Sequence, residues 1–466
     1  MPDFDTYLSP FSWRYGTPAM RALWSESNKR LLWRQIWVTL AEVQSEYGLV
    51  TTEQSADLRS HMTDINMQRA LEIESEIQHD LVAELHTFAE QCPIGGRIIH
   101  LGATSTDIED NADALRLRSG LELLLASLAT LLRTLASLIE KWADTPLIGF
   151  THLQPAEPST LGYRLAIYGQ DLLRDYELLK QMSAGIRGKG FKGAVGTSAS
   201  YVELLGAANL DDFGNKVSQK LRLSFFPVAT QVYPRKQDYE VVSSLAGLGA
   251  SLYKLAFDLR VLQSPLVGEL AEGFGEKQIG SSAMPFKRNP ILSEKVNSLA
   301  RHLASLPRIA WDNAAHSLLE RTLDDSANRR ILLPEACLAA DELLLTTNRI
   351  LSNLQVDAAA ISRNYAAFAP FAASERLLMA LVKAGADRQA MYGLIRNHAM
   401  KAWEALKEGG ANPLIIGLCA DREMNVYLKE KEIRLILEDA GYIGNAPAKA
   451  KAMAKAIQNI LPENMQ

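Results

Sequence analysis

The chain has 466 residues, 47% of them hydrophobic and 22% charged, with a formal net charge of -5. That length exceeds one ordinary core and predicts two or three domains; the composition excludes a fibre or a disordered chain, and the weak negative charge supplies no field for nucleic acid or an anionic membrane. Cys92, Cys337 and Cys419 are the only cysteines and stand far apart, which argues against a disulfide framework or a thiolate metal site and fits a reducing cytoplasm.

The start, MPDFDTYLSP, has neither the basic nor the apolar region of a secretory leader, so the chain is expected to stay in the cytoplasm. Three helical stretches follow near 26–47, 52–62 and 66–90, and they stop at the turn-rich run CPIGGRIIHLGATSTD, placing a first boundary near 106. Next comes LELLLASLATLLRTLASLI, where Leu121, Leu124, Leu128, Leu132, Leu135 and Ile139 recur at helical spacing. Glu122 and Arg133 interrupt this run, so it reads as a buried helix and not as a membrane span.

Comparable periodic stretches occupy 159–186, 238–265, 290–312 and 336–354, all longer than the average helix of about 11 to 12 residues. Strand-like alternation is scarce. The expectation is an all-α chain: an N-terminal helical domain (1–106), a central bundle of long helices (107–354) and a C-terminal helical domain (355–466) broken at Gly409-Gly410, Pro413 and GYIGNAP.

Glycine and proline otherwise gather in three runs, IRGKGFKGAVGTSAS, GEKQIGSSAMPFKRNP and GFTHLQPAEP. The second joins hydroxyls, two cations and a helix start, with Asn289 as the expected N-cap and Pro290 as the first helical residue; such a helix end favours an anion. The glycines of GKGFKG fit GxGxxG but follow a helix, so a dinucleotide site is not indicated. Neither a phosphate loop of the GxxxxGK[ST] type nor HExxH occurs. His79 and His86, seven apart on one expected helix, are too widely spaced for a metal pair. His86 reads as a packed or capping side chain.

The run SSAMPFKRNP resembles the signature loop of the fumarase/aspartase superfamily, and its form is similar to that of the adenylosuccinate lyases within it. SPFSWRYGTPAM, the His79-Asp80 pair, IHLGATSTD, GFTHLQPA, KGAVGTSAS, TQVYPRK and ERTLDDSANRR resemble the same family in the same order. The likeness covers about residues 7–400 and is weak over the last sixty or so. It implies a fumarase/aspartase-like fold and a C–N lyase that needs no cofactor or metal. The reaction it implies is anti β-elimination of fumarate from adenylosuccinate, giving AMP, and from the succinylated imidazole carboxamide ribotide SAICAR, giving AICAR.

A proton on carbon beside a carboxylate is a very weak acid, so such chemistry needs a strong base and donors for the charge that develops. By the resemblance, Ser281 is the base and His152 the general acid to the leaving nitrogen. Lys287, Asn289, Thr151 and Gln154 hold the succinyl group. Arg14, Tyr15, His79, Asp80, Thr104, Ser105, Gln231, Arg321, Ser326 and Arg330 bind the nucleotide. Two positions depart from close relatives, Gln78 and Lys295, where arginine is found, and Phe286 stands at a variable loop site. The family implies a homotetramer with active sites shared between subunits. Another superfamily lyase such as argininosuccinate lyase, or a non-catalytic protein keeping the fold, are the alternatives; KRNP, ERTLDDSANRR and the joint presence of Ser281, Lys287 and His152 speak against them.

Overall fold

The helical periods of the sequence become helices in the computed structural model, which describes residues 4–438 and 441–461. The fold is all-α. Among the described residues the strands form two small antiparallel pairs, Pro146–Thr151 with Gln154–Thr160 and Leu270–Ala271 with Gln355–Val356. The long helices include Ser105–Lys141, Leu161–Gly185, Lys236–Leu262, Ile291–Ala315 and Ser326–Ser352. The leucine stripe expected in the first of them is buried at Leu121, Leu124, Leu128, Leu132, Leu135 and Ile139, as a core helix requires. That helix and Ala358–Lys383 are long and apolar enough to cross a membrane by composition alone.

Local chemistry sets most helix ends. Ser25 caps Glu26–Glu46 by accepting from the Asn28 amide, and Thr51 and Gln54 form a reciprocal capping box on Thr52–His61. The stretch read as one helix over 66–90 is two, Met67–Ile77 and Asp80–Gln91, because Gln78 turns left-handed at φ 55° and His79 is extended. His79 is therefore an N-cap, while His86 lies exposed within the second helix, neither packed nor capping. The helix expected from 336 begins ten residues earlier, at Ser326, and runs through Pro334. Pro334 is accommodated inside the helix, leaving the Arg330 carbonyl without its helical donor.

The chain divides into two compact units. The first gathers the chain up to Leu128, Arg174–Tyr253 and Val296–Thr346. Trp33, Trp37, Phe88, Tyr201 and Phe213 are among its buried side chains. The second gathers Ala129–Leu173, Lys254–Lys295 and the chain from Thr347. Leu377, Leu381, Ile395, Leu418, Met424 and Ile433 pack together within it.

Candidate active site

The two units divide the eighteen residues singled out from the sequence. Arg14, Tyr15, Gln78, His79, Asp80, Thr104, Ser105, Gln231, Arg321, Ser326 and Arg330 belong to the first; Thr151, His152, Gln154, Ser281, Lys287, Asn289 and Lys295 belong to the second.

In the first unit one cavity is lined by Asp80, Arg321, Ser326 and Arg330 together. The helix that starts at Asp80 is anchored from below by a buried carboxylate, Glu84, which accepts from Arg34 Nε at 2.6 Å and from Arg30 at 3.0 Å. Removing one member of such a group strands a buried charge at a cost of about 3–5 kcal/mol. Asp80 meets the Arg330 guanidinium at 2.8 Å. Burial pushes its carboxyl upward, but Arg330, with Lys29, outweighs that and holds it below the ordinary range. His79 Nδ1 faces the Val82 amide at 3.5 Å and leaves the ring half exposed. Ser326 opens the last long helix of the unit and Arg330 lies one turn further on the same face.

The remaining members of this unit surround that cavity in sequence without all lining it. Thr104 donates its amide to Asp107 at 3.0 Å, and Ser105 opens the 37-residue helix. The Gln231 carbonyl accepts from the Thr106 hydroxyl, and its amide donates to the Glu320 carbonyl at 3.1 Å. Arg14 is exposed and stacks beside Trp13, Tyr15 meets Phe11 edge-on, and the turn after them is tied down where Gly16 and Thr17 donate to Glu342 and Asp341. Gln78 is exposed at the left-handed turn.

The glycine run GKGFKG has a scaffold role. Lys189, fully buried, donates to Asp107 at 2.5 Å and to the Gly193 carbonyl, while Asn111 both donates to and accepts from Gly190. A Cβ on Gly188 would stand 2.3 Å from Asn111 Oδ1. The run is glycine-rich because the helix start beside Thr104 and Ser105 grips it so closely.

In the second unit GFTHLQPA, expected as a loop, is a β-hairpin whose two central residues are His152 and Leu153. Both are left-handed, φ 54° and 59°, the backbone a two-residue hairpin turn demands and which Asn-Gly ordinarily supplies. A bulge between Ile148 and Phe150 bends the ribbon, and Arg164 fixes it by donating to the Ile148 carbonyl while pairing with Glu269, both at 2.7 Å. Thr151, His152, Leu153 and Gln154 are all exposed, Leu153 at 73%.

The signature loop closes on itself. Gly280 lies so close to Lys287 that a Cβ would fall 2.1 Å from its carbonyl oxygen, and Asn289 Nδ2 donates to the Gly280 carbonyl at 3.0 Å. Within the turn, Ser281 Oγ accepts from the amides of Ala283 and Met284 at 3.3 and 3.1 Å. Two convergent backbone N–H groups favour negative charge on that oxygen. Lys287 and Phe286 are exposed; Lys295 lies partly buried on the following helix.

Asn289 is not the N-cap that its sequence position suggested. The helix begins at Ile291, and Glu272, buried, accepts from the Leu292 and Ser293 amides at 3.1 and 2.5 Å. The protein's own carboxylate thus occupies the anion-favouring helix end, and Asn289 is released to clasp the loop. Glu272 was missed because the cap arrives from nineteen residues upstream. Lys29, Glu109, Arg116, Arg235 and Arg329 also line the cavity and were missed; Glu109 stands one helical turn after Ser105 and Arg329 one turn after Ser326, a spacing that could have pointed to both. Among the described residues no cluster of three or more His, Cys, Asp or Glu side chains is arranged to hold a metal.

Comparison with known proteins shows the family. The chain matches the Lyase family over residues 17–304 and the adenylosuccinate lyase C-terminus family over 370–453, so the likeness continues well past residue 400, where the sequence alone suggested little. Adenylosuccinate lyase of Saccharomyces cerevisiae is 38% identical over 99% of this chain and 97% of its own length. That of Schistosoma mansoni is 40% identical over 90% and 89%, and that of Archaeoglobus fulgidus 32% over 97% and 99%. The fold is similar to a 3-carboxy-cis,cis-muconate lactonizing enzyme of Pseudomonas putida, TM-score 0.85 at 24% identity, covering 96% of this chain and 99% of the other. A fumarate lyase of Mesorhizobium sp. BNC1 gives TM-score 0.83 at 24% identity over 97% and 99%. With relatives of this identity along nearly its whole length, the chain belongs to the adenylosuccinate lyase family of the fumarase/aspartase fold.

Proposed function

We propose that the chain eliminates fumarate from adenylosuccinate, giving AMP, and from SAICAR, giving AICAR, in purine nucleotide biosynthesis in the cytoplasm. The observation that carries the proposal is Ser281, whose oxygen sits in a pair of backbone amides inside the SSAMPFKRNP loop. Ser281 takes the Cβ proton; those amides and the Lys287 ammonium stabilise the alkoxide, which is a strong enough base only where water is excluded. The C–H electrons form the new double bond as the C–N bond breaks, and His152 gives its proton to the departing nitrogen. Atoms and charge balance without a cofactor. Lys287, Asn289, Thr151 and Gln154 hold the succinyl carboxylates, and Arg321, Ser326 and Arg330 take the phosphate with Arg14, Tyr15, His79, Asp80, Thr104, Ser105 and Gln231 around the nucleotide. Gln78 and Lys295 make weaker contacts than the arginines of relatives would.

The working molecule is a homotetramer in which different subunits complete each site. His152, a proton donor that must work away from water, stands exposed beside Leu153, which is 73% exposed, and Phe257, Ile309, Trp311 and Leu345 expose apolar surface on the long helices; burial against other copies would satisfy both. Residues 1–106, 107–354 and 355–466 serve as an N-terminal helical domain, a central bundle and a C-terminal helical domain.

Adenylosuccinate added to the purified protein should yield fumarate and AMP by absorbance, with argininosuccinate and aspartate inert; turnover of either of those instead would refute the proposal. Mixed after subunit exchange, His152→Ala and Ser281→Ala proteins should recover part of the activity each lacks, and no recovery would refute shared sites.

A further inference from the structure

The cavity that holds Arg321, Ser326 and Arg330 carries six cations, and each already has a carboxylate partner. From the helix Glu26–Glu46, Lys29 pairs with Glu26 at 2.7 Å. On the 37-residue helix Arg116 meets Asp113 at 3.3 Å. Ahead of Lys236–Leu262, Arg235 is held by Asp110 at 3.0 Å and Asp325 at 2.6 Å. Arg321 meets Asp325 at 2.7 Å, Arg329 meets Asp238 at 2.8 Å and Arg330 meets Asp80 at 2.8 Å. Against this paired background Glu109 also lines the cavity, and no ion pair or hydrogen bond is found for its carboxyl among the described residues.

A carboxylate without a cation, in a cavity meant for a phosphate, would repel the ligand; a neutral carboxyl would offer it an O–H. The geometry points to the second: Glu109 is the protonated donor of the phosphate subsite, giving its hydrogen to a phosphate oxygen of the nucleotide, so that binding draws one proton from solvent when Glu109 starts ionised. The assignment rests on the functional reading above, which puts the phosphate in this cavity. Its surroundings favour the neutral form: burial first, then the charges of Asp80, Asp110 and Asp113 push the Glu109 carboxyl up to about 7, and Arg330 only partly opposes them. Protonation also makes the subsite discriminating, since a donor rewards an acceptor-only phosphate and a carboxylate in its place would not.

Calorimetry of AMP binding, repeated in buffers of different ionisation enthalpy, counts the protons. At pH 8 the wild type should take up close to one proton, and its affinity should fall by up to about tenfold per pH unit above pH 7. Glu109→Gln, a fixed neutral donor, should take up none and lose less than about twofold in affinity between pH 7 and 9; Glu109→Ala should be equally flat but several-fold weaker, having lost the hydrogen bond. Adenosine, lacking phosphate, should bind without proton uptake. Zero uptake by the wild type, a pH dependence undiminished in Glu109→Gln, or equal uptake with adenosine would each overturn the proposal. If Glu109→Gln fails to fold, the wild-type proton count with AMP and adenosine decides alone. Fumarate release from adenylosuccinate by the same wild-type preparation separates the two failures: with release intact and no uptake, only the role of Glu109 falls; with no release, the functional reading falls as well.

Discussion

In the unit that carries Asp80, Arg321, Ser326 and Arg330, the polar side chains hold one another before any ligand arrives. Arg235 is 4% exposed and makes three hydrogen bonds to two carboxylates, and Arg329 donates to Asp238 and to the Tyr233 hydroxyl. In the unit that carries His152 and Ser281, those two side chains stand on a bulged ribbon and on a loop clasped by single side-chain bonds, from Asn289 to the Gly280 carbonyl and from Gln263 to the Arg288 carbonyl. On the proposed function, the difference follows from what each must do. A phosphate subsite benefits from donors whose orientation is already fixed, because a fixed donor loses little entropy on binding. An acid and a base that must meet around a substrate and expel water need elements that can move.

The contrast breaks most visibly at Ser281. Ser281→Ala should lower kcat by about three orders of magnitude, within the range of a lost general base, while AMP affinity, resting on the other unit, changes less than about twofold. A parallel loss of AMP affinity, measured by calorimetry, would mean that the loop and the phosphate subsite are not separable.

In the prebuilt unit, the corresponding blow is to stability. Arg235→Met leaves Asp110 buried without its guanidinium and Asp325 with Arg321 alone, and should cost about 3–5 kcal/mol, read from urea unfolding of the substituted chain. Glu109→Gln should act in the opposite direction. A carboxyl raised from its ordinary 4.5 to about 7 imposes no penalty below pH 4.5, a growing one as pH rises to 7, and a constant one above. Replacing it should therefore stabilise the protein at pH 8 by no more than about 3 kcal/mol, and not at pH 4. Thermal melts of both proteins across that window test the sign. Arg330→Gln, which removes one of the proposed charged phosphate partners and frees Asp80, should raise KM about 10- to 100-fold with kcat nearly unchanged, since a hydrogen bond to a charged group contributes about 1.5–3 kcal/mol.

How much of this could be read from the sequence divides along the same line. Leu121 to Ile139 announced their helix because burial imposes a period, and the loops around Ser281 and His152 announced themselves because glycine and proline are local signals. What stayed hidden depends on residues far apart in the chain. Nothing in the sequence around Asn289 says that Glu272 will cap its helix, and nothing around Arg235 says that Asp110 and Asp325 will enclose it. Gln78 hid for another reason: it lies in an unbroken helical pattern, and only its left-handed turn separates His79 from the helix before it. The hairpin was missed because His-Leu is a poor turn sequence, which is itself informative.

A β-hairpin that uses His152 and Leu153 at φ 54° and 59° holds two side-chain-bearing residues where glycine or asparagine would sit more easily, at about 1–2 kcal/mol per residue. On the proposed function His152 repays that strain as the general acid; Leu153 has no such reason in its own unit, where it is exposed. Leu153→Gly relieves the strain and should stabilise the isolated fold by about 1 kcal/mol. If Leu153 is pressed against another subunit, as the shared-site tetramer requires, the same change removes buried apolar area worth up to about 1.5–3 kcal/mol and should weaken assembly instead. Light scattering against dilution, run beside thermal melts, therefore distinguishes a mobile tip from a seated one: a tighter fold with unchanged assembly would leave His152 on a free hairpin, whereas a tetramer that dissociates more readily would place the general acid at a subunit boundary.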